Sequence, residues 1–376
     1  MKFTDETESL IEKATDILAH HNNIIKDEFT RFNTIYVGNI KKDRVTFELQ
    51  LTLPEISRVM NYDLEKFFQD REYNFQKTLE YRIWHLENIP DDSPFIGIYE
   101  MDYACHSLEY SMFGIMPSWI PGAYPAYGAP IIKEKSDLDN LKVPNFFTDG
   151  FMPRLIEDYQ SIKENLKGRL EVGIRKAVQG PFQTATGLHG QENVFMEEIT
   201  DPGFVSDLME FAFEFHKNWV AGWEKLHGRQ YGIFNIGDDD IDTKFTVSPR
   251  VFRSLILPMH YKYGEWFDAI HWHSCGDTNN VMEDIATIPN LRLLEIGPKD
   301  DALKAAQIFK NTGVKFYKCP DPISELDFSI DEAQQSMIEN VLAAGELVPI
   351  KILCEADDLN NGLKLLQKFR QVAGQQ

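Results

Sequence analysis

Apolar positions recur at helical spacing through residues 5 to about 30, at Leu10, Ile11, Ala14, Ile17 and Leu18 among acids and lysines. This pattern predicts an N-terminal helical extension over 1–43 that carries no chemistry of its own. From Arg44 the period changes. Val45-Thr-Phe-Glu-Leu-Gln-Leu51 alternates and is rich in strand formers, and an amphipathic helix is expected from 63 to 88. Short apolar runs then recur at Pro94 to Met101, Leu170 to Val178, Tyr231 to Ile236, Ala269 to Cys275, Leu291 to Ile296, Val314 to Cys319 and Val348 to Cys354. Helical patterns are expected at 153–166, 203–226, 249–266, 278–287, 301–312, 330–345 and 358–373. Two of these open with strong start signals, Thr200-Asp201-Pro202 and Ser248-Pro249.

Eight strands alternating with helices imply an α/β protein with a parallel sheet closed into a (β/α)8 barrel over 44–376, preceded by the helical extension. One stretch fits neither period. Pro117 to Pro130 packs four prolines, two glycines, two tyrosines and a tryptophan into fourteen residues. It is expected to be a long ordered loop, either a lid over a site or a cover for one end of the barrel.

Composition narrows the function classes. Aspartate and glutamate outnumber lysine and arginine by 59 to 38, a formal net charge of −21, which disfavours nucleic acid and anionic membranes as partners. No apolar run reaches the length needed to span a bilayer, and the acidic start does not read as a signal peptide. A cytoplasmic location is expected, and with it four cysteines (Cys105, Cys275, Cys319, Cys354) held as thiols or ligands rather than as disulfides.

In a barrel, chemistry gathers on the loops after the carboxyl ends of the strands. Those ends carry Gln179-Gly-Pro-Phe-Gln183, Gly237-Asp-Asp-Asp240, His273-Ser-Cys-Gly-Asp277, Glu295-Ile-Gly-Pro298, Cys319-Pro-Asp321 and Cys354-Glu355. In a strand, His273 and Cys275 point to the same face, offering an imidazole and a thiolate that suit Zn²⁺. Cys354, ending a further apolar run, is a third donor if the two runs are neighbouring strands, which leaves a fourth position open. The competing reading makes these residues small apolar filler and satisfied core histidines.

Gly180-Pro-Phe with Gly187-Leu-His-Gly-Gln-Glu-Asn193, then Asp201-Pro-Gly-Phe-Val205, Gly237-Asp-Asp-Asp-Ile241, Ser248-Pro-Arg-Val-Phe252, Leu257-Pro258 and His273-Ser-Cys-Gly-Asp277 resemble, in this order, the uroporphyrinogen decarboxylase superfamily. The resemblance covers about 170–375 and, more weakly, 44–130, and it implies a (β/α)8 barrel. Within the superfamily, the zinc-dependent corrinoid:coenzyme M methyltransferases carry His-x-Cys followed roughly eighty residues later by a further cysteine. His273, Cys275 and Cys354 match that spacing. An arginine-rich N-terminal motif of the true decarboxylases has no counterpart among the scattered Arg31, Arg44 and Arg58.

The resemblance thus implies zinc held by His273, Cys275 and Cys354, with Cys319 as a rival third ligand. A thiol bound to it would take a methyl group from a corrinoid carried by a separate protein. Asp238 and Asp239 are expected across the barrel mouth as catalytic groups that orient a histidine or the substrate; the alternative is solvated turn acids. Gln183 and Asp277 are assigned to cofactor binding. For Cys105, His106 and Glu109 a structural role is favoured, and His189 reads as a loop histidine. Two other functions stay open, a metal-free decarboxylase or lyase and a non-catalytic binding barrel. The oligomeric state stays open, with a homodimer among the candidates.

Overall fold

A computed structural model describes residues 3–21, 40, 43–101, 108–175 and 178–374. Eight parallel strands form the barrel wall: β1 (Thr46–Leu51), β2 (Ile98–Met101), β3 (Glu171–Ile174), β4 (Phe234–Gly237), β5 (Ile270–His273), β6 (Leu291–Ile296), β7 (Lys315–Lys318) and β8 (Ile350–Ala356). Six of them pair in the order β1-β8-β7-β6-β5-β4, and β2 pairs with β3. The protein is a (β/α)8 barrel of the α/β class.

Two seams separate the six-stranded arc from the β2–β3 pair, and polar groups bridge both. At one, Asp91 and Asp92 stand in for a partner strand. Their carboxylates accept from the amides of Leu49 (2.7 Å) and Phe47 (3.0 Å). At the other, the amide of Gly180 donates to the carbonyl of Gly237 at 2.6 Å. Unpaired strand edges inside a barrel would leave buried amides unsatisfied, so these contacts complete the wall.

Period-two alternation divides the strands into two layers. Phe47, Leu49, Leu294, Phe316, Ile350 and Ile352 point outward into the main core beneath the helices. Leu293, Tyr317 and Leu353 form a smaller cluster on the opposite face, inside the barrel. The interior face also carries charge: Lys351 Nζ donates to Glu48 Oε2 at 2.6 Å, with both side chains buried.

Most helices fall where the periodicity puts them, and the departures have local causes. The expected helix at 63–88 divides at Asp70, which ends Leu64–Gln69 and caps Arg71–Asn88 by accepting from the amide of Tyr73. The 249–266 helix contains a π-helical turn, Phe252–Ile256, just before Leu257–Trp266. Pro258 has no amide hydrogen to continue the ladder, which accounts for the irregular turn there. The segment after β3 holds two helices that were not expected, Pro181–His189 and Gln191–Thr200, parted at Gly190 with φ +98°. The expected 278–287 helix shrinks to Met282–Ile285. Asp201 and Ser248 act as the caps their sequence context predicts.

At the N-terminus the helix Asp5–His21 buries Ile11, Ala14 and Leu18; the remainder of the expected extension lies largely outside the described residues. The 117–130 stretch has no regular structure beyond one bridge, Ser118 to Ala126. Its aromatic side chains hold it in place: Trp119 stacks on Phe68 at 5.8 Å, Tyr127 meets Tyr110 at 5.3 Å, and the Tyr124 hydroxyl accepts from the amide of Leu53. No helix among the described residues is long and apolar enough to cross a membrane.

Candidate functional site

The site is built where β4, β5 and β6 end side by side. Glycines allow the close approach. A Cβ on Gly276 would lie 2.3 Å from the carbonyl oxygen of Ile241, and one on Gly297 would lie 2.9 Å from that of Ser274. Register then decides which side chains share the lumen. Tyr317 is opposite Glu295 and His271 opposite Leu293, so His271, His273, Glu295 and Tyr317 all face inward.

These four form a directed hydrogen-bond chain. His271 Nε2 lies 2.9 Å from the Tyr317 hydroxyl, which donates to Glu295 Oε2 at 2.5 Å, and His273 Nδ1 is also bound to that oxygen. Burial holds the His271 imidazole well below its ordinary pKa, and because the Tyr317 hydroxyl gives its proton to Glu295 it is left to accept from His271 Nε2. Glu295 therefore collects donors from both sides and fixes the ring of His273, leaving Nε2 turned to the mouth.

At the mouth, His273 Nε2 lies 2.5 Å from Asp239 Oδ1 and 3.7 Å from Cys275 Sγ, and Cys275 Sγ is 3.5 Å from Asp239 Oδ1. The ligand atoms of these three residues all lie within 4.8 Å of one another. Nitrogen, sulfur and carboxylate oxygen are the donors Zn²⁺ takes, and three protein ligands leave a position free for a reactant. Burial alone would lower the pKa of His273, but Glu295 and Asp239 outweigh it and hold the ring well above its ordinary value. Burial pushes the Cys275 thiol up, against the pull of His273. Glu355, on the lumen face of β8, adds a further carboxyl that is pushed up first by burial and then by Glu295.

Other expected site residues are elsewhere. Cys354 is fully buried in the outer core, opposite Leu49 in register. Leu49 packs toward Gly362 on the helix Leu359–Val372. Register partners in parallel strands share a face, so this sulfur points away from the lumen and does not join His273 and Cys275. The expectation of Cys354 as third ligand is corrected on that ground. Cys319 does face inward, packed against the cluster of Leu293, Tyr317 and Leu353 and beside Glu295, but it is not one of the three residues whose ligand atoms lie within 4.8 Å of one another.

Asp238 does not lie across the mouth beside Asp239. It is fully buried on the outward face, accepting from the Gln183 amide at 2.8 Å and paired with His260 Nε2 at 2.8 Å; His260 in turn accepts from Trp272 Nε1. Gln183 uses its side-chain oxygen on the amide of Asp240 at 3.1 Å, tying the helix start after β3 to the turn that presents Asp239. Asp277 is clamped by Lys244 (2.5 Å) and Asn279; burial would raise its carboxyl, and those two partners bring it below the usual range. All three hold the frame of the site. Glu109 accepts from the Gln179 amide, and His189 sits between Ile132 and Glu197. Cys105 and His106 lie outside the described residues.

The sequence reading assigned no role to Glu295 or Tyr317. The available signal was position: Glu295 lies at the carboxyl end of β6 and Tyr317 two residues before Cys319 at that of β7, the ends where a barrel gathers its chemistry.

Residues 103–316, more than half of the chain, match the sequence model of the family described as uroporphyrinogen decarboxylase (URO-D). No curated protein matches the chain. Among solved structures, a methyltransferase from Methanosarcina mazei superposes with a TM-score of 0.65 at 16% sequence identity, over 91% of this chain and 96% of that one. Identity that low is informative about the fold alone, and the fold is the barrel described above.

Proposed function

Because the chain belongs to the uroporphyrinogen decarboxylase family, whose fold hosts more than one reaction, its activity has to be argued from the mouth of the barrel; there we propose a zinc-dependent methyltransferase that moves a methyl group from a corrinoid, carried by a separate protein, to a small thiol. The observation that carries the reading is His273 Nε2 3.7 Å from Cys275 Sγ, with the far nitrogen of the same ring anchored on Glu295. A carboxylate behind a histidine is the support that metal-binding imidazoles have. The name of the structural relative, a methyltransferase, agrees with it.

His273 and Cys275 would hold the zinc, and bound zinc lowers the pKa of a coordinated thiol so that it reacts as thiolate at neutral pH. The chain's own residues supply the rest. Glu295, held by Tyr317, keeps the His273 ring from turning. The turn after β4, held by Asp238 and Gln183, sets the height of Asp239 beside the sulfur. The substrate thiolate then forms a sulfur–carbon bond with the methyl group as the cobalt–carbon bond breaks, its electron pair staying on cobalt and the thiol proton leaving to solvent. Acidic Asp239, Glu295 and Glu355 around the mouth favour this over a metal-free decarboxylase, which would need cations to grip its carboxylates.

The test is thiol-dependent demethylation of methylcobalamin by the purified protein, with the thioether product followed by mass spectrometry. The expected result is turnover that ends on metal stripping, returns with Zn²⁺, and is absent in His273→Ala and Cys275→Ala. Turnover that survives stripping, or no turnover with any small thiol, sinks the proposal.

A further inference from the structure

We infer that the third protein ligand of this metal is the carboxylate of Asp239, making the centre a one-thiolate His/Cys/Asp site rather than a two-cysteine one. The inference rests on the metal reading above and concerns which atoms hold the ion.

Three observations converge. The first is proximity: the Asp239 carboxylate touches both other donors, at 2.5 Å from His273 Nε2 and 3.5 Å from Cys275 Sγ. The second is parity. Asn235, Gly237 and Asp239 fall on the lumen side of β4 and its continuation, whereas Ile236 and Asp238 are buried outward. The residue that follows the strand at inward parity is thus the one beside Cys275. The third is how the turn is held. Asp238 on the Gln183 amide and His260, the Asp238 amide on the His273 carbonyl, and Asp240 on Thr186 and Gln191 fix the residues on both sides of Asp239. A ligand held on a rigid backbone loses little freedom when it binds.

The cysteines are not equivalent candidates. Cys354 faces the helix layer, and reaching the lumen would need a one-residue register slip that carries Ile350, Ile352 and Ala356 inward with it. Cys319 lies beside Glu295, outside the three residues whose donor atoms fall within 4.8 Å of one another. Replacing a second thiolate by a carboxylate keeps the ligand charge at −2 but makes the set harder. The site should therefore accept Co²⁺ readily and favour soft ions less than a two-sulfur site does.

The experiment uses the metal-stripped full chain titrated with Co²⁺. The intensity of the sulfur-to-cobalt charge-transfer band counts bound thiolates, and competition with a chromophoric chelator gives affinity. One equivalent should bind with a one-thiolate band. Cys275→Ala should abolish the band; Asp239→Ala should weaken binding more than about 100-fold while the band persists at saturation; Cys354→Ala and Cys319→Ala should change neither. A two-thiolate band in the unmodified protein, which needs no variant to fold, overturns the inference and leaves the metal reading standing, as does unchanged affinity in a folded Asp239→Ala. No stoichiometric Co²⁺ or Zn²⁺ binding by the unmodified protein overturns both.

Discussion

At the scale of single residues, Glu295 is where the barrel's interior chemistry meets its mouth. It gathers Tyr317 and His273 on one oxygen, so replacing it by glutamine keeps the volume and removes the charge that anchors the ring. Glu295→Gln should weaken zinc binding about 10–100-fold, and Tyr317→Phe by less, as read by chelator competition. A second residue bears on stability. Glu198 is buried with Oε2 lacking a partner, and burial raises its carboxyl from 4.5 to about 7. The folded protein then holds a proton that the unfolded chain has released, so stability present below pH 4.5 is lost as pH rises through 7. Glu198→Gln lacks that loss. Its stability relative to the parent should improve by about 2 kcal/mol between pH 4 and pH 8 in denaturant unfolding, a figure discounted for partial solvation. At this scale the sequence was legible where ligand-type residues share one strand end, as His273 and Cys275 do. It misled at Cys354, because which way a strand faces depends on its neighbour's register. The clue was that Lys351 and Glu355 mark the lumen face of β8, and Cys354 has the opposite parity.

At the scale of elements, the strand-end turns are the part of the fold most sensitive to volume. A Cβ on Gly180 would lie 2.4 Å from Asp238 Oδ1, inside the contacts that join the helix Pro181–His189 to the turn after β4. Gly180→Ala must displace the carboxylate or the helix start and leave a buried hydrogen bond unmade. It should cost about 1–3 kcal/mol and lower metal affinity together with the melting temperature, measured by thermal unfolding with and without Zn²⁺. Element order was readable from periodicity because strand and helix differ so sharply in period, and the β6 boundaries, Leu291–Ile296, agree residue for residue. The two helices at 181–200 were not readable, since Gly187 and Gly190 suppress helix propensity and packing against Pro202–His227 restores it. The same holds for the break at Asp70, where one residue serves as the end of one helix and the cap of the next.

At the scale of the whole molecule, exposed large apolar side chains are unevenly shared between the two ends of the barrel. Met196 and Ile199 follow β3, Phe245 follows β4, and Ile323, Phe328 and Ile330 follow β7, all on connections leaving the carboxyl ends of strands; Phe245 is 86% and Phe328 75% exposed. At the other end, Leu347 lies just before β8. Apolar residues around a polar opening suit the docking of a protein that must bring its cargo to the centre, whereas a small diffusible donor would have no use for them. In the proposed reaction the two donors can be separated. Phe245→Ala combined with Phe328→Ala should raise KM for a methylated corrinoid protein about tenfold or more, a loss of about 1.4 kcal/mol or more in docking, and leave the rate with free methylcobalamin unchanged. Equal losses with both donors would move these rings from the docking face into the reacting site, and no loss with either would leave the apolar rim without a part in methyl delivery.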